Sequence, residues 1–161
     1  MTGQEIARWP SLDQVRIATD RWTRPYWEAA SSHRLVVQRC TACGRMRMPP
    51  SPFCPACRSQ SCDWPEPKGQ ATIYSFTIVA TAVTPRQASH VPYVPALIEF
   101  ADAPGVRIVS NVVDAPIASI QIGAPVALVW QDGPEGLSVP RFRVVDNQSR
   151  MSESSAMLPE P

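Results

Sequence analysis

The sequence predicts a mainly β protein with a short helical segment near its N-terminus and a metal-held hairpin in its first half. Three observations carry that expectation. Eighteen prolines and seven glycines in 161 residues leave little room for long helices, because proline lacks the amide a helix interior needs and both residues punctuate the chain at turns. Two Cys-x-x-Cys pairs, Cys40/Cys43 and Cys54/Cys57, stand ten residues apart. That spacing brings four thiolates around one tetrahedral ion, with room for the chain to turn back as a hairpin. Beyond Gly69 the sequence changes to runs of β-branched and aromatic residues separated by Pro/Gly breaks.

Met1 to Thr19 reads as an arm or short helix, since Ile6, Trp9, Leu12, Val15 and Ile17 fit neither the helical nor the strand period. Thr23 as cap, Pro25 in the first turn and Tyr26 to Ala30 predict a helix ending near Ser32. So short a helix does not stand alone in water. Tyr26 and Trp27 therefore fasten it, either to the body of the protein or to a partner. Leu35 to Val37 lead as a strand into Cys40, and Met46 to Met48 form the return strand. Gly44, after the first pair, suits the positive φ that turns amides toward sulfur. Arg58 follows the second pair in place of a glycine, which implies a less regular second knuckle. Asp63 to Gly69 reads as a linker.

Ala71 to Val83 is the longest strand candidate, followed by Val94 to Ala101, Gly105 to Asp114, Pro125 to Gln131 and Val139 to Val145. Ile117 to Ile122 is expected to cross between the third and fourth of these, with a sharp turn at Gly123. Five such strands make a small closed sheet of the OB-fold type. The expected organisation is an arm and helix over 1–34, a metal ribbon over 35–67, a barrel over 68–146 and a disordered tail over 147–161.

Apolar residues make up 44% of the chain and charged residues 18%, a globular composition. The formal charge of +1 gives no general attraction to nucleic acid or to an anionic membrane. Five arginines (Arg34, Arg39, Arg45, Arg47, Arg58) and no acidic residue lie between positions 34 and 58. Four thiolates on a divalent ion carry −2, so the ribbon's balance is about +3, and part of its basicity offsets the metal site. The barrel segment Lys68 to Asp146 has five basic and six acidic residues, poorly suited to tracking a phosphate backbone. No run approaches the roughly 20 apolar residues of a membrane span, and no signal-peptide pattern opens the chain. Four of the five cysteines stand in metal spacing, so a reducing, cytoplasmic setting is expected.

Zinc is the expected structural ion, with iron open on geometry. A redox dithiol would need one pair only and leaves the second unexplained. Cys62 reads as a plain thiol. His33 and His90 lie in no ligand or nucleophile motif, and neither a Gly-x-Ser-x-Gly elbow nor a phosphate-binding glycine loop is present. No catalytic residue is assigned.

The order PYWEAA (Pro25 to Ala30), LVVQRCTACGRMRMPPSPFCPAC, ATIYSFTIV, VPYVPALIEF, IQIGAPVALVW and VPRFRV resembles the family called domain of unknown function 35, across roughly Asp20 to Val145. The resemblance implies a helical N-terminus, a rubredoxin-like zinc ribbon and an OB-fold. It also implies an accessory protein of acyl-CoA metabolism that forms a hetero-oligomer with a thiolase-like or hydratase-like enzyme. In that setting Arg39, Arg45 and Arg47 are candidates for the phosphates of CoA, or are solvated counter-charge to the metal. Tyr74 and Phe76, alternating on one strand, either stack on the adenine of CoA or fill the barrel. Tyr26, Trp27, His90 and Tyr93 are candidate partner contacts, the last two on a long loop from Thr84 to Tyr93 that otherwise has no role. The alternative function is a single-stranded nucleic-acid-binding module, a common use of ribbons and OB-folds.

Overall fold

The computed structural model describes residues 5–13 and 15–145; the expected tail over 147–161 lies outside them. Helix α1 spans Arg24–Ala30. Thr23 does not cap it as the sequence suggested. Its hydroxyl bonds Asp20 instead, and the Asp20 carboxylate accepts the amides of Trp22 and Thr23, both at 2.8 Å. At the other end His33 takes a φ of 55°. The amides of His33 and Arg34 return to the carbonyls of Ala30 and Ala29, the pattern that closes a helix through a left-handed residue.

The ribbon is a three-stranded antiparallel sheet in the order β2–β1–β3: β1 Gln38–Cys40, β2 Met46–Arg47 and β3 Cys62–Asp63. Two sequence expectations change here. Leu35 to Val37 are not strand; they are buried lead-in residues that pack on the barrel. Asp63 is not linker; it pairs with Arg39 across β1 and β3, and Trp64 packs on the core.

The barrel comprises β4 Ala71–Phe76, β5 Val94–Phe100, β6 Arg107–Val112, β7 Pro125–Asp132 and β8 Ser138–Val144. It closes in the order β4–β5–β6–β8–β7, with β6 and β8 parallel and the other pairs antiparallel. The anticipated crossover contains a short 3-10 turn at Ile117–Ser119, and Gly123 makes the following turn with φ 84°. β5 alternates buried and half-buried residues along its whole length, as a strand with one face in the core must. Phe142, fully buried, meets Phe100 edge-on at the centre.

β4 ends at Phe76, short of the expected run Ala71 to Val83, and its register slips between Ile73 and Ser75. The extra residue is Tyr74. This bulge corrects the expectation that Tyr74 and Phe76 share a face: Tyr74 points out, while Phe76 pairs with buried Ala96 and packs on the core. The described part of the N-terminal arm contains no helix. It runs along the barrel, where the Ala7 amide donates to Ala115 O and the Asp114 amide to Ala7 O, both at 2.8 Å. Arm, helix, ribbon lead-in and barrel share one hydrophobic cluster, from Ala7 through Tyr26 and Leu35–Val37 to Phe142.

Candidate metal centre and its surroundings

Two turns of the ribbon carry the four cysteines, and they repeat each other bond for bond. In the first, the Cys40 amide donates to Arg45 O at 2.9 Å and the Gly44 amide to Cys40 O at 2.8 Å. In the second, the Cys54 amide donates to Ser59 O at 2.9 Å and the Arg58 amide to Cys54 O at 2.8 Å. Gly44 has φ 75° and Arg58 φ 61°, so the arginine adopts the glycine's conformation. The second knuckle is therefore as regular as the first, contrary to the sequence expectation.

This geometry aims backbone amides at sulfur. Burial opposes ionisation of Cys40, but the amides of Cys43 and Ala42 hold its thiol below the ordinary range. The amides of Cys57 and Ala56 draw Cys54 down to about 6. Cys57 receives the Ser59 amide, yet the facing sulfurs of Cys40 and Cys43 push it up to about 12. Such a set holds some negative charge easily and resists the last, which is the electrostatic demand a cation meets.

The four Sγ atoms lie within 4.8 Å of one another, with Cys40–Cys57 and Cys43–Cys54 each at 3.6 Å. A tetrahedral zinc with sulfurs at about 2.3 Å spaces them about 3.8 Å apart, whereas a disulfide needs about 2.05 Å. The donor set fits a structural ion with no open coordination position. When bound, the ion supplies a cross-link between the knuckles, and the amide array orients the thiolates around it.

Behind the knuckles lies a polar clamp that sequence reasoning missed. Gln38, fully buried, accepts the Ser51 amide at 2.9 Å and donates to Cys62 Sγ at 3.4 Å. Arg47, its cross-strand partner on β2, donates through Nη2 to Ser51 O at 3.2 Å. Together they fix the loop that leads into Cys54. Cys62 stands opposite the ligand Cys40 in the β1/β3 register. Only the alternation of β1 hinted at this, since Gln38 shares the face of Cys40.

The three arginines offered for CoA phosphates are not brought together. Arg39 and Arg47 occupy opposite faces of the ribbon sheet, because their neighbours in the register, Met46 and Gln38, alternate. Arg39 is held by Asp63, with Nε to Oδ1 at 2.9 Å. Arg47 is 8% exposed, and its Nε and Nη1 have no partner among the described residues. Arg45 remains exposed. Tyr74 is 41% exposed, and the Arg107 guanidinium lies 3.4 Å from its ring centroid, covering one face.

The candidate partner residues divide similarly. Tyr26 is buried, which pushes its phenol up to about 12; its place is in the core. Trp27 is half-buried beside it at 5.0 Å, edge to face. The loop from Thr84 folds into a 3-10 turn, Pro85–His90, with a capping box between Thr84 and Gln87. His90 Nδ1 meets Trp9 O at 2.9 Å, and Tyr93 bridges Val79 through paired backbone bonds.

A closed five-stranded barrel joined to a four-cysteine ribbon defines a zinc-ribbon and OB-fold protein with a structural metal centre. Residues 27–62 match the rubredoxin-like zinc ribbon domain of ChsH2, and residues 64–131 match the C-terminal OB-fold domain of ChsH2. A solved chain described as Ltp2-ChsH2(DUF35) aldolase is 40% identical, with a TM-score of 0.72 over 80% of this chain and 98% of that one. The chain belongs to the DUF35 family. A probable enoyl-CoA hydratase alpha subunit from Thermomonospora curvata is 39% identical over 134 residues, 83% of this chain. The chain spans only 41% of that relative's length. A DUF35 domain-containing scaffold protein from Methanothermobacter thermautotrophicus is 29% identical over 65% of this chain and 80% of its own.

Proposed function

We propose that this chain is a non-catalytic accessory subunit that docks on an acyl-CoA enzyme of the thiolase, aldolase or hydratase kind and supports its assembled form. The observation that carries the reading is the 98% coverage, at 40% identity, of a chain described together with Ltp2 as an aldolase. The names of the hydratase alpha subunit and the scaffold protein point the same way. In this reading the metal clamps a ribbon too small to fold unaided, and the function lies in the surface that ribbon, helix and barrel present together. Contact with CoA would fall to Arg45 and to the outer face of the barrel, since Arg39 and Arg47 are already engaged or buried.

The test is affinity purification of the full chain from its native host under gentle conditions, with identification of co-purifying proteins. Recovery of a stoichiometric thiolase-like or hydratase-like enzyme is expected. Recovery of none would overturn the reading. Fluorescence anisotropy with single-stranded DNA and RNA addresses the other class of function; sub-micromolar, salt-dependent binding would replace the accessory role with nucleic-acid binding.

A further inference from the structure

Cys62, the cysteine outside the metal set, faces one of the metal ligands. It is the register partner of Cys40 across β1 and β3. In the same register, the Thr41 amide donates to Ser61 O at 3.1 Å one step beyond this pair, and the Val37 amide donates to Pro65 O at 3.0 Å three steps before it. Hydrogen-bonded and non-bonded pairs alternate along an antiparallel ladder, so Cys40 and Cys62 form a non-hydrogen-bonded pair. The Cα atoms of such pairs approach to about 4.5 Å, inside the roughly 4.4–6.8 Å that a disulfide spans.

A disulfide also requires that both side chains share a face, and Gln38 shows that they do. Gln38 and Cys40 stand two apart on β1, both fully buried on one face. Gln38 Oε1 accepts the Ser51 amide at 2.9 Å, which settles the orientation of its side-chain amide and leaves Nε2 as the donor to Cys62 Sγ at 3.4 Å. That bond holds the Cys62 side chain on the face that carries Cys40. Exposure separates the two thiols: Cys40 is shut off from solvent, whereas Cys62 is half-buried. Cys43 and Cys57 are exposed as well, but they belong to the four-sulfur set, so with the ion in place Cys62 is the uncoordinated sulfur within reach of water.

We propose that Cys62 is an oxidation site for a peroxide and that Cys40 resolves it, so that an oxidant withdraws one metal ligand from the ribbon. In the first step the Cys62 sulfur attacks one oxygen of hydrogen peroxide, the O–O bond breaks, and the products are a Cys62 sulfenic acid and water. In the second the Cys40 thiolate attacks the sulfenic sulfur; the S–S bond forms as the S–O bond breaks, and hydroxide leaves. Two electrons pass from the two sulfurs to the peroxide, whose oxygens end as water and hydroxide. Three thiolates then remain of the four that clamp the knuckles, because the thiolate and not the disulfide is the metal ligand. A thiol reductant returns both sulfurs to their starting state. The site is independent of the accessory role and holds whichever enzyme the chain serves.

The experiment treats the full metal-loaded chain with hydrogen peroxide beside a chromophoric chelator and maps the disulfides by mass spectrometry of unreduced peptides. The expected result is Cys40–Cys62 as the first disulfide, metal release that keeps pace with it, and recovery of metal binding after a thiol reductant and added zinc. Cys62→Ser, which keeps an acceptor for Gln38 Nε2, is expected to hold metal as wild type does and to release it several-fold more slowly under peroxide. Without peroxide the two should release metal alike. Peroxide-driven release from Cys62→Ser at the wild-type rate overturns the proposal. So does a first disulfide among Cys40, Cys43, Cys54 and Cys57 alone, one joining Cys62 of two chains, or oxidation of Cys62 with the metal retained. Should Cys62→Ser fail to hold metal, the disulfide map of the wild type decides by itself.

Discussion

Arg58 sits at φ 61° where Gly44, its counterpart in the other knuckle, sits at φ 75°. A side chain in this region costs about 1 kcal/mol or more relative to glycine. No atom lies within 4 Å of a Cβ built on Gly44, so Gly44→Ala meets conformational strain alone. It is expected to lower stability by about 1 kcal/mol. Arg58→Gly is expected to raise stability by less than about 1 kcal/mol, since glycine also loosens the unfolded chain. Denaturant melts of the metal-loaded proteins check both.

Metal removal should unfold the ribbon. Four-thiolate binding contributes on the order of 10–16 kcal/mol in small zinc domains, more than a ribbon of this size obtains from its own core. Cys43→Ser is expected to cut metal content and solubility sharply. Because protons compete for the same thiolates, metal release should rise as the solution is acidified. A chromophoric chelator titrated across pH reads this directly, and pH-independent release would contradict four-sulfur ligation.

Gln38→Leu removes the acceptor of the Ser51 amide and the donor to Cys62 while keeping bulk. An orphaned buried amide costs about 1–3 kcal/mol. Ser51 leads into Cys54 through a short loop, so the same variant should release metal to a chelator several-fold faster than wild type. Unchanged release with lowered stability would make Gln38 a packing residue only.

Acid should weaken the fold through several carboxylates. The Lys68 amide, against slight burial and with help from the Gly69 amide, holds Asp102 below the usual carboxylate range. The Arg39 guanidinium does the same for Asp63. A group whose pKa is lower folded than unfolded stabilises the fold above its unfolded value, about 3.9, and loses that contribution as pH falls through the folded value. Stability should thus decline below about pH 4, and Asp102→Asn should flatten part of the decline. Gly69 itself tolerates no side chain, since a Cβ there would lie 2.6 Å from the Asp102 backbone nitrogen.

Much of this was readable in the chain. The cysteine spacing announced the ribbon, and the run Val94 to Ala101 between Pro/Gly breaks announced a strand; both are local patterns, and local patterns survive folding. What escaped depended on register. The slip at Tyr74 separated two aromatics that alternate in sequence. The pairing of Arg39 with Asp63 removed an apparent surface cation and turned a supposed linker into a strand. Arg58 in place of the commoner glycine implied a less regular second knuckle, yet the backbone hydrogen bonds around Cys54 hold Arg58 in the left-handed region. Val109, 76% exposed on β6, was hidden for a similar reason: in the run Ile108 to Val113 nothing says which valine faces out until pairing with β5 fixes the pleat.

The ribbon loop that leads into the second knuckle also supplies Pro49 and Pro50, which line one hollow with Tyr26 and Trp27 of α1 and Val139 and Pro140 of β8. The metal-held ribbon and the outside of the barrel therefore share one surface. A chain that loses its ion would lose one side of this hollow along with its clamp, so the shape of that surface depends on a metal that does not line it.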